Sequence, residues 1–195
     1  MRYAPTSPAR LQEAGDTAPA ALDPLTVAKL WENPNWLSFR LNFLAFRFND
    51  PVYRWIETRY GLMRPEFAAL YSVGLRAGVA AKNIVASSGL PKNTLSRAIQ
   101  KLLSRRLLRR DSDPHDLRSY VLRLTPAGRA IYVETMPLML DHQGTMLSAL
   151  TEPEQAQLCA LLDKLVIASP HWPAELDAPT PAPTTAPTIT ERSLP

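Results

Sequence analysis

The chain has 195 residues, and its hydrophobic fraction of 46% is enough to build one ordinary core. It has no apolar run of the roughly 20 residues that cross a bilayer, and its first residues lack the apolar segment of a secretory signal. These features exclude a membrane partner and predict a cytoplasmic protein. The only cysteine, Cys159, excludes an intramolecular disulfide and a zinc cluster built on cysteines.

The net charge of +4 hides a marked asymmetry. Ten lysines and arginines lie between Gly89 and Ala130 against three aspartates, which gives this segment +7 and leaves −3 for the rest of the chain. A basic block on a mildly acidic body is typical of proteins that bind the phosphate backbone of nucleic acids. The charge alone is also consistent with a charged surface that is simply exposed to solvent and binds no nucleic acid.

The composition divides the chain into an ordered body and two tails. Residues 1–24 are rich in alanine and proline, and residues 169–195 are rich in proline, so both are predicted to be disordered. The ordered body is expected over residues 25–168.

The body begins as helices. Apolar residues recur at helical spacing from Trp36 to Phe48, and the run Asn49-Asp50-Pro51 is expected to break or kink this helix. A second piece runs to Tyr60 and stops at Gly61. The next helices are predicted from the Pro65 region to about Gly78, over Ala81–Ser88 and over Lys92–Arg105.

The pattern then changes to strands. The runs "LLRRD" and "SYVLRLT" alternate as strands do, and the segment from Ser112 to Arg118 separates them, which predicts a β-hairpin. Thr125 followed by Pro126 begins a long helix to about Leu147, and Thr151 begins the last helix with capping-box spacing to Glu154. The predicted fold class is mainly α with one small β-hairpin.

The helix from Lys92 to Arg105 has two distinct faces. One is apolar and is expected to face the core; it consists of Leu95, Ala98, Ile99, Leu102 and Leu103. The opposite face, called the reading face below, consists of Asn93, Ser96, Arg97, Gln100, Lys101 and Ser104. Its arginine, amide and hydroxyl groups are those that hydrogen-bond to base edges in the major groove.

The surroundings of this helix make the pattern more specific. A short helix precedes it through the glycine-containing turn Ser87–Leu90, which predicts a helix-turn-helix. The basic hairpin follows directly. A helix-turn-helix with a β-hairpin after it is a winged helix, in which the hairpin is the wing.

At this point the chain resembles the MarR-type (multiple-antibiotic-resistance regulator) family over residues 36–167. The resemblance rests on "TLSRAIQKLLSRRLLRR" and on "DSDPHDLRSYVLRLTPAGR", which matches the wing pattern of that family. It implies a winged helix domain at 25–168, with a DNA-binding part at 63–125 and dimerisation helices at 36–60 and 126–168.

The resemblance also implies partners and roles. The partners are a second copy of the chain and double-stranded DNA carrying a palindromic operator. The wing-tip Arg118 is expected to enter the minor groove, and Asp116 to fix the loop that holds it. The residues expected to contact DNA are Lys92, Asn93, Thr94, Ser96, Arg97, Gln100, Lys101 and Arg118.

Two features of this region raise questions. The family usually has an aspartate or serine cap before the reading helix, whereas this chain has Pro91, so the register of the first turn is open. The aspartates Asp111, Asp113 and Asp116, together with Pro114, are interpreted as residues that shape the turn and orient Arg118. A simple ion pair between Arg118 and a nearby aspartate is the alternative.

Aromatic residues crowd the first two helices, mostly as core or dimer packing. Some of them are candidates to line a pocket for a small aromatic or carboxylate effector, with two arginines one heptad apart. The candidate set is Trp36, Phe39, Arg40, Phe43, Arg47 and Tyr71. Solvated arginines, or arginines paired with carboxylates, are the alternative.

Other chemistry finds no support in the sequence. Cys159 lies among leucines and is expected to be a buried, inert thiol. His115, His142 and His171 have no metal-ligand spacing, and no catalytic set is visible, so neither an enzyme nor a cofactor is predicted. The alternative function is a winged helix used only for contact between proteins.

Overall fold

The computed structural model describes residues 23–113, 116–173 and 175, and for Leu117 the backbone alone. These residues fall into two units, one ending at Ser148 and one beginning at Ala149. The two predicted tails lie almost entirely outside the described residues, as do Pro114 and His115.

The architecture is mainly helical with one antiparallel hairpin, which confirms the predicted fold class. The elements of the first unit are α1 (Pro24–Trp31), α2 (Trp36–Tyr60), α3 (Arg64–Leu75), α4 (Ala81–Ser88), α5 (Lys92–Ser104), β1 (Leu108–Asp113), β2 (Asp116–Leu124) and α6 (Pro126–Leu147). The second unit contains α7 (Glu152–Ala168), followed by one turn of 3₁₀ helix. No helix in the described part of the chain is long and apolar enough to cross a membrane.

The first two helices differ from the prediction. Helix α1 was not predicted from the sequence, although Asp23 caps it by accepting the Thr26 N–H at 3.0 Å. Of the break or kink predicted at Pro51, the break is wrong, because α2 is one continuous helix that contains this proline. A proline removes one hydrogen bond from a helix. Packing of the second half of α2, where Ile56 is fully buried, outweighs that loss.

One apolar core joins the second half of α2 to α3, α4, α5 and the hairpin. The fully buried side chains include Ile56, Leu62, Phe67, Leu70, Ile84, Leu95, Leu102, Leu108 and Leu122. Burial of each such side chain stabilises the fold by about 1.5–3 kcal/mol relative to exposure. The helix-turn-helix and the wing therefore share one packed body.

The hairpin has longer strands than predicted. Its strands pair in register from Leu108 opposite Leu124 to Ser112 opposite Tyr120, so the expected loop over 112–118 is mostly strand. Arg118 consequently lies within β2. The chain before α4 adds a short third segment, in which Val79 pairs with Leu122.

The last two helices begin with the caps that the sequence predicted. The Thr125 hydroxyl accepts the Gly128 N–H at 3.1 Å at the start of α6, which continues through Pro137. Glu154 accepts the Thr151 N–H at 2.8 Å at the start of α7.

Within the described chain, α7 buries none of its side chains. Cys159 is therefore exposed, and the prediction of a buried thiol is wrong for a single copy of the protein. The leucines of the same helix are exposed as well.

Candidate nucleic-acid interface

The turn between α4 and α5 is the tight connection of a helix-turn-helix. Gly89 ends α4 with φ 66°, a left-handed conformation that glycine adopts without steric cost. The Ser88 hydroxyl donates to the Val85 carbonyl at 3.2 Å and accepts the Leu90 N–H at 3.1 Å. These bonds fix the direction in which α5 leaves the turn.

Pro91 occupies the N-cap position of α5 and gives it no side-chain hydrogen bond. The helix nevertheless begins at Lys92, because the Pro91 carbonyl accepts the Leu95 N–H at 3.1 Å. The register left open by the sequence is thus settled, with Lys92 as the first helical residue. The cap that a serine or aspartate would supply is lost rather than moved along the chain.

The two faces of α5 separate as predicted. Its apolar face is buried at Leu95, Ala98, Ile99 and Leu102, and Leu103 is half-buried. All six residues of the reading face are exposed, as are Lys92 and Thr94. Among the described residues, no side chain hydrogen-bonds to or pairs with those of Arg97 and Gln100. Their donors and acceptors therefore point to solvent without competing partners.

Lys101 differs from its neighbours on the reading face. Its Nζ lies 2.6 Å from Glu66 Oε1, and the Glu66 side chain is only 7% exposed. The expected contact between Lys101 and a DNA phosphate stays a prediction, but the lysine already has an anionic partner inside the protein.

In the wing, the Asp116 side chain holds the backbone at the start of β2. One carboxylate oxygen accepts the Arg118 N–H at 3.0 Å and the other accepts the Ser119 hydroxyl at 2.6 Å. The Ser119 hydrogen bond, then the Arg118 N–H and the nearby Lys82, hold the pKa of Asp116 below its usual value. The side chain thus holds the backbone of Arg118 and leaves its guanidinium exposed, with no carboxylate partner among the described residues.

Asp111 does not act as the sequence suggested. Asp111 lies inside β1, where one of its oxygens is 3.1 Å from both the Arg109 and the Arg123 guanidinium. It balances a pair of cross-strand arginines that would otherwise repel each other. The interpretation of Asp111 as a turn-shaping residue is therefore wrong, and Pro114 lies outside the described residues.

Sequence reasoning missed three contributors to this region. Glu66 pairs with Lys101, Lys82 lowers the pKa of Asp116, and Arg105 donates to the end of α2. The Arg105 contact joins residues 44 and 45 positions apart in the chain. No local spacing rule relates such residues, so the sequence held no signal for these contacts.

The six candidates for an effector pocket fall in three places. Arg40 donates to the Leu30 carbonyl at 2.6 Å, so with Trp36 and Phe39 it belongs to the contact between α1 and α2. Tyr71 lies in the partly buried packing between Phe67 and Tyr132.

Only Phe43 and Arg47 line an open groove between α2 and α6, of about 900 Å³, called the effector groove below. The other residues that line it are Phe46, Asp50, Pro51, Arg54, His142 and Met146. One pocket made of all six candidates is thus not formed, because Trp36 and Arg47 on a straight α2 are about 16 Å apart along its axis.

Comparison with known proteins agrees with this geometry. The model of the MarR family matches residues 60–119, from the end of α2 into β2. The transcriptional regulator HosA of Escherichia coli O111:H- is 25% identical over 119 residues, which cover 61% of this chain and 88% of HosA.

Solved structures extend the likeness to most of the described chain. A MarR family transcriptional regulator from Silicibacter pomeroyi is 29% identical, with a TM-score of 0.61 over 69% of this chain and 89% of that one. A putative MarR family regulator from Listeria monocytogenes, solved with a 26mer DNA, shares the fold at 18% identity, with a TM-score of 0.64 over 70% of this chain and 91% of that one. With an exposed reading face next to a basic wing, the chain has the winged helix-turn-helix fold of the MarR family of DNA-binding transcriptional regulators, whose family model its residues 60–119 match.

Proposed function

We propose that the chain acts as a homodimer on a palindromic operator and that a small aromatic or carboxylate effector modulates this binding. The observation that carries the proposal is the reading face of α5, which presents Arg97 and Gln100 without partners among the described residues, together with the exposed guanidinium of Arg118. A contact used only between proteins would not require this set of base-reading groups beside a basic wing.

Exposed apolar side chains support the dimer. The first half of α2 exposes Leu37, Leu41, Phe43, Leu44 and Phe46. Separately, α7 exposes Leu158, Leu161, Leu162, Leu165, Val166 and Ile167. Apolar faces of this size on soluble proteins are usually covered by a partner. We therefore assign residues 36–60 and 126–168 to dimerisation and residues 63–125 to DNA binding.

In such a dimer the two copies of α5 enter major grooves about one helical turn apart, roughly 10 base pairs centre to centre. Arg97 and Gln100 contact base edges, while Lys92, Asn93, Thr94 and Ser96 lie near the first turn. Each Arg118 reaches a flanking minor groove, where a narrow A·T-rich segment concentrates negative potential.

The effector groove suits an aromatic carboxylate. It combines apolar surface from Phe43 and Met146 with the guanidinium group of Arg47, while Arg54 pairs with Asp50. His142 stacks on Phe48 with ring centroids 5.2 Å apart, and its Nε2 is buried without a partner among the described residues. An effector that binds two states of the dimer unequally would shift the spacing of the reading helices.

The first experiment is a fluorescence anisotropy titration with the DNA upstream of the chain's own gene. Arg97→Ala should cost about 1–3 kcal/mol on the best operator and relax the preference at one base pair. Lys164→Ala removes the same charge from α7 and should leave base preference unchanged. Absence of wild-type binding at low salt would favour the alternative, a winged helix that contacts only proteins.

The wing is tested on operators that differ only in their flanking base pairs. Arg118→Lys keeps the charge but loses the planar guanidinium, so it should weaken binding most on A·T-rich flanks. Asp116→Ala should have a similar effect, because it releases the Arg118 N–H and the Ser119 hydroxyl. Wild-type affinity of both variants on every flank would contradict the minor-groove role.

The groove is tested by calorimetric titration with benzoate as the probe. Arg47→Met should weaken its binding roughly tenfold or more, because a hydrogen bond to a charged group is worth about 1.5–3 kcal/mol. Arg76→Met, a change outside the groove, is the matched control. Equal benzoate affinity for Arg47→Met and wild type would remove Arg47 from the proposed site.

A further inference from the structure

Two basic side chains one turn apart at the end of α5 hold the junction between α2 and α3, residues 61–63. The Arg105 guanidinium donates to the Tyr60 carbonyl oxygen at 2.7 Å and to the Gly61 carbonyl oxygen at 2.9 Å. Carbonyls at the end of a helix have no helical donor, and a cation there also complements the helix dipole. Arg105 therefore ties the end of α2 to the end of α5.

Lys101 makes the second contact, on the other side of the junction. Its Nζ is 2.6 Å from Glu66 Oε1, while Glu66 Oε2 accepts the Met63 N–H at 3.1 Å. The carboxylate is withdrawn from water, so the lysine balances a charge that would be costly to bury alone. Between these two contacts, Leu62 is fully buried in the core.

We propose that Lys101 and Arg105 are positioning residues for operator reading. They fix the angle at which α5 presents Arg97 and Gln100, and they do not act chiefly by neutralising phosphates. Because Arg105 joins α5 to the end of α2, a movement of α2 is passed directly to the reading helix. This inference rests on the operator binding proposed above.

The decisive test uses changes for which charge and position predict opposite results. Glu66→Gln raises the net charge by one, so simple electrostatics predicts tighter DNA binding. A glutamine offers one oxygen where the carboxylate offers two, so it cannot keep both the Lys101 and the Met63 contacts. If the pair positions α5, operator affinity should fall about tenfold, within the usual range of coupling between sites.

Arg105→Lys is a second and independent test. It keeps the charge, but an ammonium group lacks the planar fork that reaches the Tyr60 and Gly61 carbonyls together. We expect affinity to fall several-fold while the slope of log affinity against log salt is unchanged, since no phosphate contact is lost. Circular dichroism and sedimentation check that each variant is folded and has the wild-type assembly state. If Glu66→Gln fails to fold, Arg105→Lys alone decides the matter.

The role of Lys101 is separated from that of a phosphate contact by the same salt titration. Lys101→Met should weaken binding without changing the slope, and the double variant with Glu66→Gln should bind no worse than the weaker single variant. Lys92→Met, at the exposed start of α5, is the control expected to lower the slope by about one.

The outcomes distinguish this inference from the proposed function. Failure of the wild-type protein to bind operator DNA would contradict the proposed function itself. If wild type binds, and Glu66→Gln and Arg105→Lys bind at least as tightly, the positioning role is overturned. A lowered slope for Lys101→Met, equal to that of Lys92→Met, would also overturn it and make Lys101 a phosphate contact.

Discussion

Replacing Arg106 with glycine should stabilise the protein. Arg106 has φ 56°, the only positive value outside glycine among the described residues. It follows α5, where its N–H donates to the Leu103 carbonyl at 3.0 Å and the Leu107 N–H donates to the Leu102 carbonyl at 2.9 Å. This pair of bonds is the Schellman motif, whose left-handed residue is most often glycine.

The magnitude follows from two opposing terms. A left-handed conformation costs a residue with a side chain roughly 1–2 kcal/mol, and glycine removes that cost. Glycine also makes the unfolded chain more flexible, which costs about 0.4–1 kcal/mol. The net gain for Arg106→Gly is about 0.5–1 kcal/mol, or roughly 1–4 °C in Tm for a chain of this length. The Thr125 hydroxyl still donates to the residue 106 carbonyl, at 2.7 Å in the wild type, because the acceptor is a backbone oxygen that the substitution leaves in place.

Urea unfolding and calorimetry measure this effect, at one fixed protein concentration because association also shifts Tm. Arg106→Ala is the matched control, since it removes the same side chain but keeps the left-handed strain. It should be no more stable than wild type. A glycine variant that is no more stable than the alanine variant would refute the strain argument.

Two further predictions concern α6 and the wing. Gly128→Ala should destabilise the fold by about 1–3 kcal/mol in urea unfolding, because the new Cβ would clash with the Leu107 carbonyl oxygen. The control is Gly144→Ala in the same helix, where the new Cβ meets nothing within 4 Å. This variant should instead be more stable than wild type by about 0.5–1 kcal/mol. Equal effects of the two changes would contradict the contact. The Asp116 carboxyl should titrate below its ordinary pKa of 3.8 by NMR, and Ser119→Ala should move the pKa upward. Because the pKa of Asp116 is lower in the folded state, its stabilisation of the wing is present above about pH 3.8 and is lost as pH falls through the folded pKa. If Ser119→Ala leaves the pKa unchanged, the Ser119 hydrogen bond is not the cause of the lowered pKa.

The sequence by itself determined the features that depend on neighbours within a few residues. The sequence predicted the cap at Thr125 and the helix ends at Gly61 and Gly89. It also predicted that α5 has a buried face and a reading face. Such features arise from backbone hydrogen bonds and a helical period of 3.6 residues, so spacing alone reveals them. The wing followed from its alternating strands.

Only the tertiary structure decided which side chains meet across the fold. Helix α2 continues through Pro51, because burial of the following turns outweighs one missing hydrogen bond. Asp111 balances two arginines of the hairpin rather than shaping the turn. Lys101 is exposed on the reading face, but its ammonium group pairs with a buried glutamate from another helix. The charge of a residue is written in the sequence, but its partner depends on which surfaces the core brings together, and that is a property of the packed chain.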